Sequence, residues 1–220
     1  MQGLLKKIRK MSAIEYILYT AVILGVVGLD HLTKILAVVF LKPVQSVPII
    51  KGVLHLTYAT NDGMAWGLFD DKRFIFLSVS TVMITVILLY LYLGLAENKS
   101  VGVSLAMITA GGLGNMIDRT FPIYAGEGIF RGEVVDFIDF TLINYPVFNV
   151  ADSFVCVGTF LLVVFLVISI VGEAKAKKAE ALAASVSNAE GGNTSADGAE
   201  NEKKAIEGCS EGSSEHSDEN

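Results

Sequence analysis

Five aspartates stand where an acid is least expected. Asp152, with Asn149 three residues ahead of it, precedes Ser153 to Gly172, a run without a charge. Asp118 closes the uncharged stretch Ser100 to Ile117, and Asp30 interrupts an apolar run, with Lys34 four residues on. Asp136 and Asp139 punctuate GEVVDFIDF. A carboxylate at the edge of a lipid-spanning helix is costly, which makes it a functional candidate. Two carboxylates held close together cannot both ionise easily, so one keeps its proton near neutral pH. Such a pair supplies what amide hydrolysis by general acid–base catalysis needs. The ionised member takes a proton from water and the protonated one polarises the carbonyl. Other hydrolytic chemistries lack their residues: there is no H-E-x-x-H, no G-x-S-x-G, and Cys156 and Cys209 fall in an apolar helix and a polar tail. His31 and His55 have no metal-ligand partner at useful spacing, and this chemistry requires no metal or cofactor.

The elements that must position these acids are membrane spans. Of 220 residues 52% are hydrophobic, with mean hydropathy +0.55, and the apolar residues come in long blocks. About 20 apolar residues cross a hydrocarbon core of about 30 Å. Phe74–Ala96, Ser100–Ile117 and Ser153–Gly172 qualify directly. Tyr16–Leu29 is short, but its pattern resumes beyond Asp30 and Lys34 to Leu41, so the first helix is expected to include both charges. At 1.5 Å per residue, Asp30 lies roughly 22 Å from an inner boundary near Glu15, Asp118 roughly 28 Å from Lys99, and Asp152 roughly 30 Å from Gly172. Three carboxylates on three helices are therefore expected at one outer level, where Asp136 and Asp139 can join them.

Lys6, Lys7, Arg9 and Lys10, then Lys99, then Lys175, Lys177 and Lys178 fall on one side of a four-span frame, which reads as cytoplasmic and holds both termini. The first run ends in Leu29-Asp30-His31 without a small-x-small site, so a retained helix is expected and not a cleaved leader. The other side receives residues 42–72 and 120–148. In the first, VPII and VLHLTYAT flank Lys51-Gly52, a hairpin pattern, followed by NDGMAWGLF with Trp66 as an interface anchor. From Glu173 the chain turns to Ala, Glu, Ser, Asn, Gly and Lys without an aromatic residue, and is read as a disordered acidic tail in which Ala174–Ala184 extends the last helix. The expected fold is thus all-α: four transmembrane helices with a small extracytoplasmic β-like cradle (1–172) and a disordered tail (173–220). No basic patch supports nucleic-acid binding, and nothing points beyond a monomer.

Each polar residue also has a plainer use. Asp30 and Lys34 are an i, i+4 ion pair in the favoured order. Asp118 and Arg119 suit a charged helix end, and Asn149 and Asp152 are good helix caps. Asp139 reads as loop. Asn61, Asn115 and Asn149 gather at the same level. This reading leaves open whether Asp118 or Asp136 partners Asp152.

The order of motifs resembles the lipoprotein signal peptidases (signal peptidase II) of bacterial membranes, over about residues 14–172. DHLTK (Asp30–Lys34), NDGMAWGLF with Asn61, GNMIDR with Asn115, Asp118 and Arg119, VVDF with Asp136, and FNVAD with Asn149 and Asp152 follow that family's pattern. The resemblance implies that Asp136 and Asp152 are the catalytic pair, surrounded by the asparagines and the charged residues. It implies a prolipoprotein substrate carrying diacylglyceryl-cysteine, cut before that cysteine at the outer face of the bacterial cell membrane, in contact with membrane lipid. One departure is the link TFPIYAGEGIFRGE, longer than the family's usual connection. The other class considered is a proton-coupled carrier using the carboxylates as a relay. The acids gather at one face, and no inverted repeat of broken helices accompanies them. A membrane scaffold would leave the clustered acids without a task.

Overall fold

The computed structural model describes residues 11–62, 73–96, 98–124 and 128–193. Gly63–Phe69, and with them the expected anchor Trp66, lie outside the described residues, as do residues 194–220 of the tail.

Helix α1 runs Ala13–Phe40 and begins with a reciprocal cap: Ser12 Oγ accepts from the Glu15 N–H, and Glu15 accepts from the Ser12 N–H at 2.9 Å. The helix passes through Asp30 and Lys34 without a break. Both charges lie on its buried stripe, with Tyr19, Ile23, Val26 and Ala37. Strands β1 (Ser46–Ile50) and β2 (Leu54–Asn61) form the expected antiparallel hairpin. Its turn contains Gly52 at φ 72°, a left-handed backbone that favours glycine. Helix α2 (Arg73–Tyr92), helix α3 (Lys99–Thr120), strand β3 (Val134–Asp139), a short 3-10 turn (Thr141–Ile143) and helix α4 (Val150–Asn193) complete the chain.

The molecule is mostly helical, with one small antiparallel sheet in the order β1-β2-β3. Among the described residues, Ala13–Phe40, Lys99–Thr120 and Val150–Leu182 are long and apolar enough to cross a membrane. In α2 the corresponding apolar helix is shorter, Leu77–Tyr92. Ile17, Leu24, Ile75, Val82 and Phe160 point outward, a surface suited to hydrocarbon and costly in water.

The internal packing uses small residues. Tyr19, Ile23 and Val26 of α1 meet Ala106 and Ala110 of α3 and Leu91 of α2 in one core cluster. The start of α4 lies close against α3, where a Cβ on Gly111 would collide with the Ala151 carbonyl and the Val155 side chain. A second cluster joins Ala37 and Leu41 of α1 to Val135 and Phe137 of β3 and seats the sheet on the end of α1. The pairing of β3 with β2 draws VVDFID into the sheet, including Asp139, which accepts from Thr57 Oγ1 at 2.8 Å. Asp139 is therefore a strand residue and not loop.

Candidate active site

Register explains where Asp136 points. Asn61, the last residue of β2, is paired with Val134, and Asp136 lies two residues further along β3. Cross-strand partners share a face and strand side chains alternate, so Asn61 and Asp136 emerge together. Asn61 Nδ2 donates to Asp136 Oδ2 at 3.2 Å. The other oxygen, Oδ1, accepts from Asn149 Nδ2 at 2.6 Å. Asp136 itself is buried. That burial first, then the nearby Asp152 charge, pushes its carboxyl up to about 7, although bonds from Asn61 and Asn149 and the charge of Lys34 favour the ionised form.

Asp152 is fixed by the way α4 begins. Asn149 precedes the helix, and its Oδ1 accepts from the Asp152 N–H at 3.0 Å. In return Asp152 Oδ2 accepts from the Asn149 N–H at 3.2 Å. This reciprocal cap satisfies two amides that a helix start leaves without partners. Asp152 Oδ1 accepts from Asn115 Nδ2 at 2.7 Å. The capping use and a chemical use of Asn149 and Asp152 are thus compatible, because the cap aims the carboxylate.

Behind the pair lies a buried charge cluster. The Lys34 ammonium, fully buried, donates to Asp30 Oδ2 at 2.7 Å, Asp118 Oδ2 at 2.5 Å and Asn115 Oδ1 at 2.9 Å. These bonds use all three of its protons. Asp30 Oδ1 in turn accepts from the Ala151 N–H at 2.9 Å, so α1 also caps α4. The expected Asp30–Lys34 pair is present. Asp118, read as a charged helix end beside Arg119, reaches back to Lys34, because its side chain faces α1 on the buried side of α3. Arg119 Nη1 donates to the Asn115 carbonyl at 3.4 Å, and Arg119 borders the cleft in front of Asp152.

Asn115 is the hinge of the arrangement. Its Oδ1 accepts from both Lys34 and Asn149 (3.1 Å), which turns its amide nitrogen toward Asp152. One connected network therefore contains Asp30, Lys34, Asn61, Asn115, Asp118, Asp136, Asn149 and Asp152. Both carboxyl groups open on a cleft of about 530 Å³ whose walls are largely apolar, among them Met83, Ile84, Ile108 and Val155, with Ser80, Arg119 and Tyr145 also on its lining. The sequence reading missed that one asparagine, Asn149, bonds both Asp136 and Asp152. FNVAD carried the cap signal but gave no sign of the partner strand. His31, read as an ordinary histidine, touches Tyr124 and faces Asp118, and no spacing signal marked it.

The family model for signal peptidase (SPase) II matches residues 22–168 of the chain. The chain belongs to the signal peptidase II family. A lipoprotein signal peptidase of Caldanaerobacter subterraneus subsp. tengcongensis is 45% identical over 138 residues, covering 62% of this chain and 87% of the relative. Two solved structures, each described as a bacterial membrane enzyme determined by the in meso method, share the fold at 29% identity. One has a TM-score of 0.58 and covers 69% of this chain and 88% of its own; the other has 0.56, with 67% and 91%. As a signal peptidase II, the protein is a membrane-bound protease, a hydrolase of the lipoprotein signal peptidase type. The signal peptidase II match contains every residue of the network described above.

Proposed function

We propose that Asp136 and Asp152 are the catalytic dyad of an endopeptidase that removes signal peptides from diacylglyceryl-modified prolipoproteins, cutting before the lipidated cysteine. The observation that carries this reading is the bridge through Asn149, which joins the two carboxyl groups that open on one largely apolar cleft. Asp136, held up to about 7, is the member that keeps the proton and polarises the scissile carbonyl. Asp152 takes the proton from the attacking water. Asp118 is engaged by Lys34 and is not on the cleft lining, whereas Asp136 and Asp152 both are, so Asp136 is preferred as the partner. Asn61, Asn115 and Asn149 hold the dyad; Asn61 and Asn115 also line the cleft and face the substrate backbone there, while Arg119 borders the same cleft.

In this reading α2, with the uncharged Phe74–Ala96, is the fourth span. The lysine-bearing ends Lys99 and Lys175–Lys178 face the cytoplasm, as do both termini. The dyad and sheet face outward, at the depth where a lipid anchor and the apolar part of a signal peptide both partition. The enzyme works as a monomer in contact with bilayer lipid.

The test is a gel-shift cleavage assay on a diacylglyceryl-modified prolipoprotein, with insertion and folding of each variant checked beforehand. Wild type cleaves, Asp136→Asn and Asp152→Asn do not, and Asp118→Asn keeps a reduced but measurable turnover. Cleavage by Asp136→Asn with none by Asp118→Asn would reassign the dyad. A wild type inactive on every lipidated precursor would favour the carrier.

A further inference from the structure

Lys34 balances only one of the two buried carboxylates it touches, so Asp30, Asp118 and Lys34 carry a formal excess of one negative charge. The second oxygen of Asp118, Oδ1, is buried and has no hydrogen-bond partner among the described residues. Such an atom is expensive to leave alone. It lies 3.6 Å from His31 Nδ1, and this nitrogen lies 2.8 Å from the Tyr124 hydroxyl. The Tyr124 hydroxyl also donates to the His31 carbonyl at 3.3 Å. Burial, then the charges of Asp118 and Asp30, push that hydroxyl up to about 12, so it keeps its proton. The carbonyl can only accept, so a hydroxyl proton placed on that contact leaves the phenol oxygen as an acceptor toward the imidazole. The proton between the two groups then belongs to the imidazole, on the nitrogen that also faces Asp118.

We infer that His31 carries its proton on Nδ1 between Tyr124 and Asp118, and that His31 and Tyr124 are positioning residues for cleavage. The charged or titratable groups facing this imidazole are Asp30 and Lys34 on its own helix, Asp118 on α3, and Tyr124 in the segment after α3. With its proton shared with Tyr124, the Nδ1–H leaves its positive end 3.6 Å from Asp118 Oδ1 and favours that orientation of the carboxylate electrostatically, without a hydrogen bond. Asp118 Oδ2 then receives Lys34, whose remaining proton sets Asn115, whose amide nitrogen holds Asp152. Tyr124 locks the imidazole in that pose and ties the long link after α3 to α1, with the two rings 6.0 Å apart.

Two measurements test this. The first needs no substrate: nitrogen-15 NMR of the full chain in detergent, labelled at its three histidines and assigned with His31→Asn. A protonated Nδ1 at His31, whose proton exchanges faster in Tyr124→Phe and in Asp118→Asn, is the expected result. A neutral His31 with its proton on Nε2 overturns the inference. The second rests on the proposed dyad and reads turnover of a lipidated precursor. Asn places an amide N–H where Nδ1–H stands, whereas Gln mimics Nε2. His31→Asn is therefore expected to hold kcat within about threefold of wild type, while His31→Gln and His31→Leu lose about tenfold in kcat with KM little changed. Equal losses in all three variants, or a change confined to KM, overturn the positioning role. A wild type with the expected NMR signal and no cleavage counts against the proposed dyad and leaves the proton assignment standing.

Discussion

Asn149 Nδ2 lies 2.6 Å from Asp136 Oδ1, while the same residue's backbone N–H donates to Asp152 Oδ2. The short distance marks a close hydrogen bond from the amide to the carboxyl oxygen. The amide oxygen on that side chain is already committed to the start of α4, accepting from the Asp152 N–H. Asn149 therefore cannot flip its amide without losing the cap and the Asp136 bond together.

Replacing Asn149 separates the two tasks. In Asn149→Ser the hydroxyl still caps α4, since serine is as good a cap as asparagine, but it is too short to reach Asp136. Thermal stability should fall by no more than about 1 kcal/mol. The cleavage rate should drop at least about tenfold, because Asp136 loses a donor that aims it. Asn149→Ala should lose the same activity and about 1 kcal/mol more stability. Equal rates for wild type and Asn149→Ser would show that the bridge does not position the dyad.

The ionisation of Asp136 sets the pH dependence. Its carboxyl is raised from an ordinary 3.8 to about 7, so the folded protein binds a proton there that the unfolded chain has released. Between about pH 4 and pH 7 stability should therefore fall as pH rises, and level off above. Turnover should decline above about pH 7 as the pair loses the proton it shares, an apparent value belonging to the pair as a whole. Melting curves of wild type and Asp136→Asn across this range check the first claim, because the variant lacks the titrating group and its slope. A kcat profile rising through pH 9 would contradict the second.

Lys34 is expected to matter more for stability than any other charge in the cluster. Lys34→Met leaves Asp30 and Asp118 facing each other in a buried site, which should cost about 3–5 kcal/mol. The triple variant Lys34→Met, Asp30→Asn, Asp118→Asn removes the stranded charges and should recover most of that loss. Cleavage should stay at least about tenfold down in the triple variant, because Asn115 no longer receives the ammonium that turns its nitrogen toward Asp152. Full activity in the triple variant would reduce the cluster to a purely structural device.

How much of this was legible follows from the range of each interaction. The hairpin of VPII and VLHLTYAT, the passage of α1 through Asp30 and Lys34, and the Asn149 cap are local, and local pattern carries them. Strand β3 is different. VVDFID is buried along most of its length, so its pattern lacks the alternation of a half-exposed strand. Its partner β2 also lies more than seventy residues away. Without that pairing, depth along the helices could not choose between Asp118 and Asp136. The Lys34–Asp118 bond was hidden for the same reason: Arg119 is Asp118's neighbour in sequence, but the helix turns the two side chains to different surroundings.

Gly114 offers the most exacting check of how α1, α3 and α4 meet. A Cβ there would stand 2.7 Å from Asp30 Oδ2, an oxygen held by Lys34, and 3.5 Å from the Ala151 Cβ. Neither group is free to retreat, since Asp30 also caps α4 through the Ala151 N–H. Gly112 is the internal comparison: its Cβ would meet only the flexible end of Ile84, at 3.1 Å. Any gain in helix propensity, worth about 1 kcal/mol for glycine to alanine, applies equally at both positions and cannot separate them. Gly114→Ala should therefore lose about 2 kcal/mol or more in thermal unfolding relative to Gly112→Ala. It should also slow cleavage, because displacing Asp30 moves both Lys34 and the first turn of α4 that carries Asp152. Equal stability of the two alanine variants would mean that the close approach of α3 to the Asp30 carboxylate is absent in the folded enzyme.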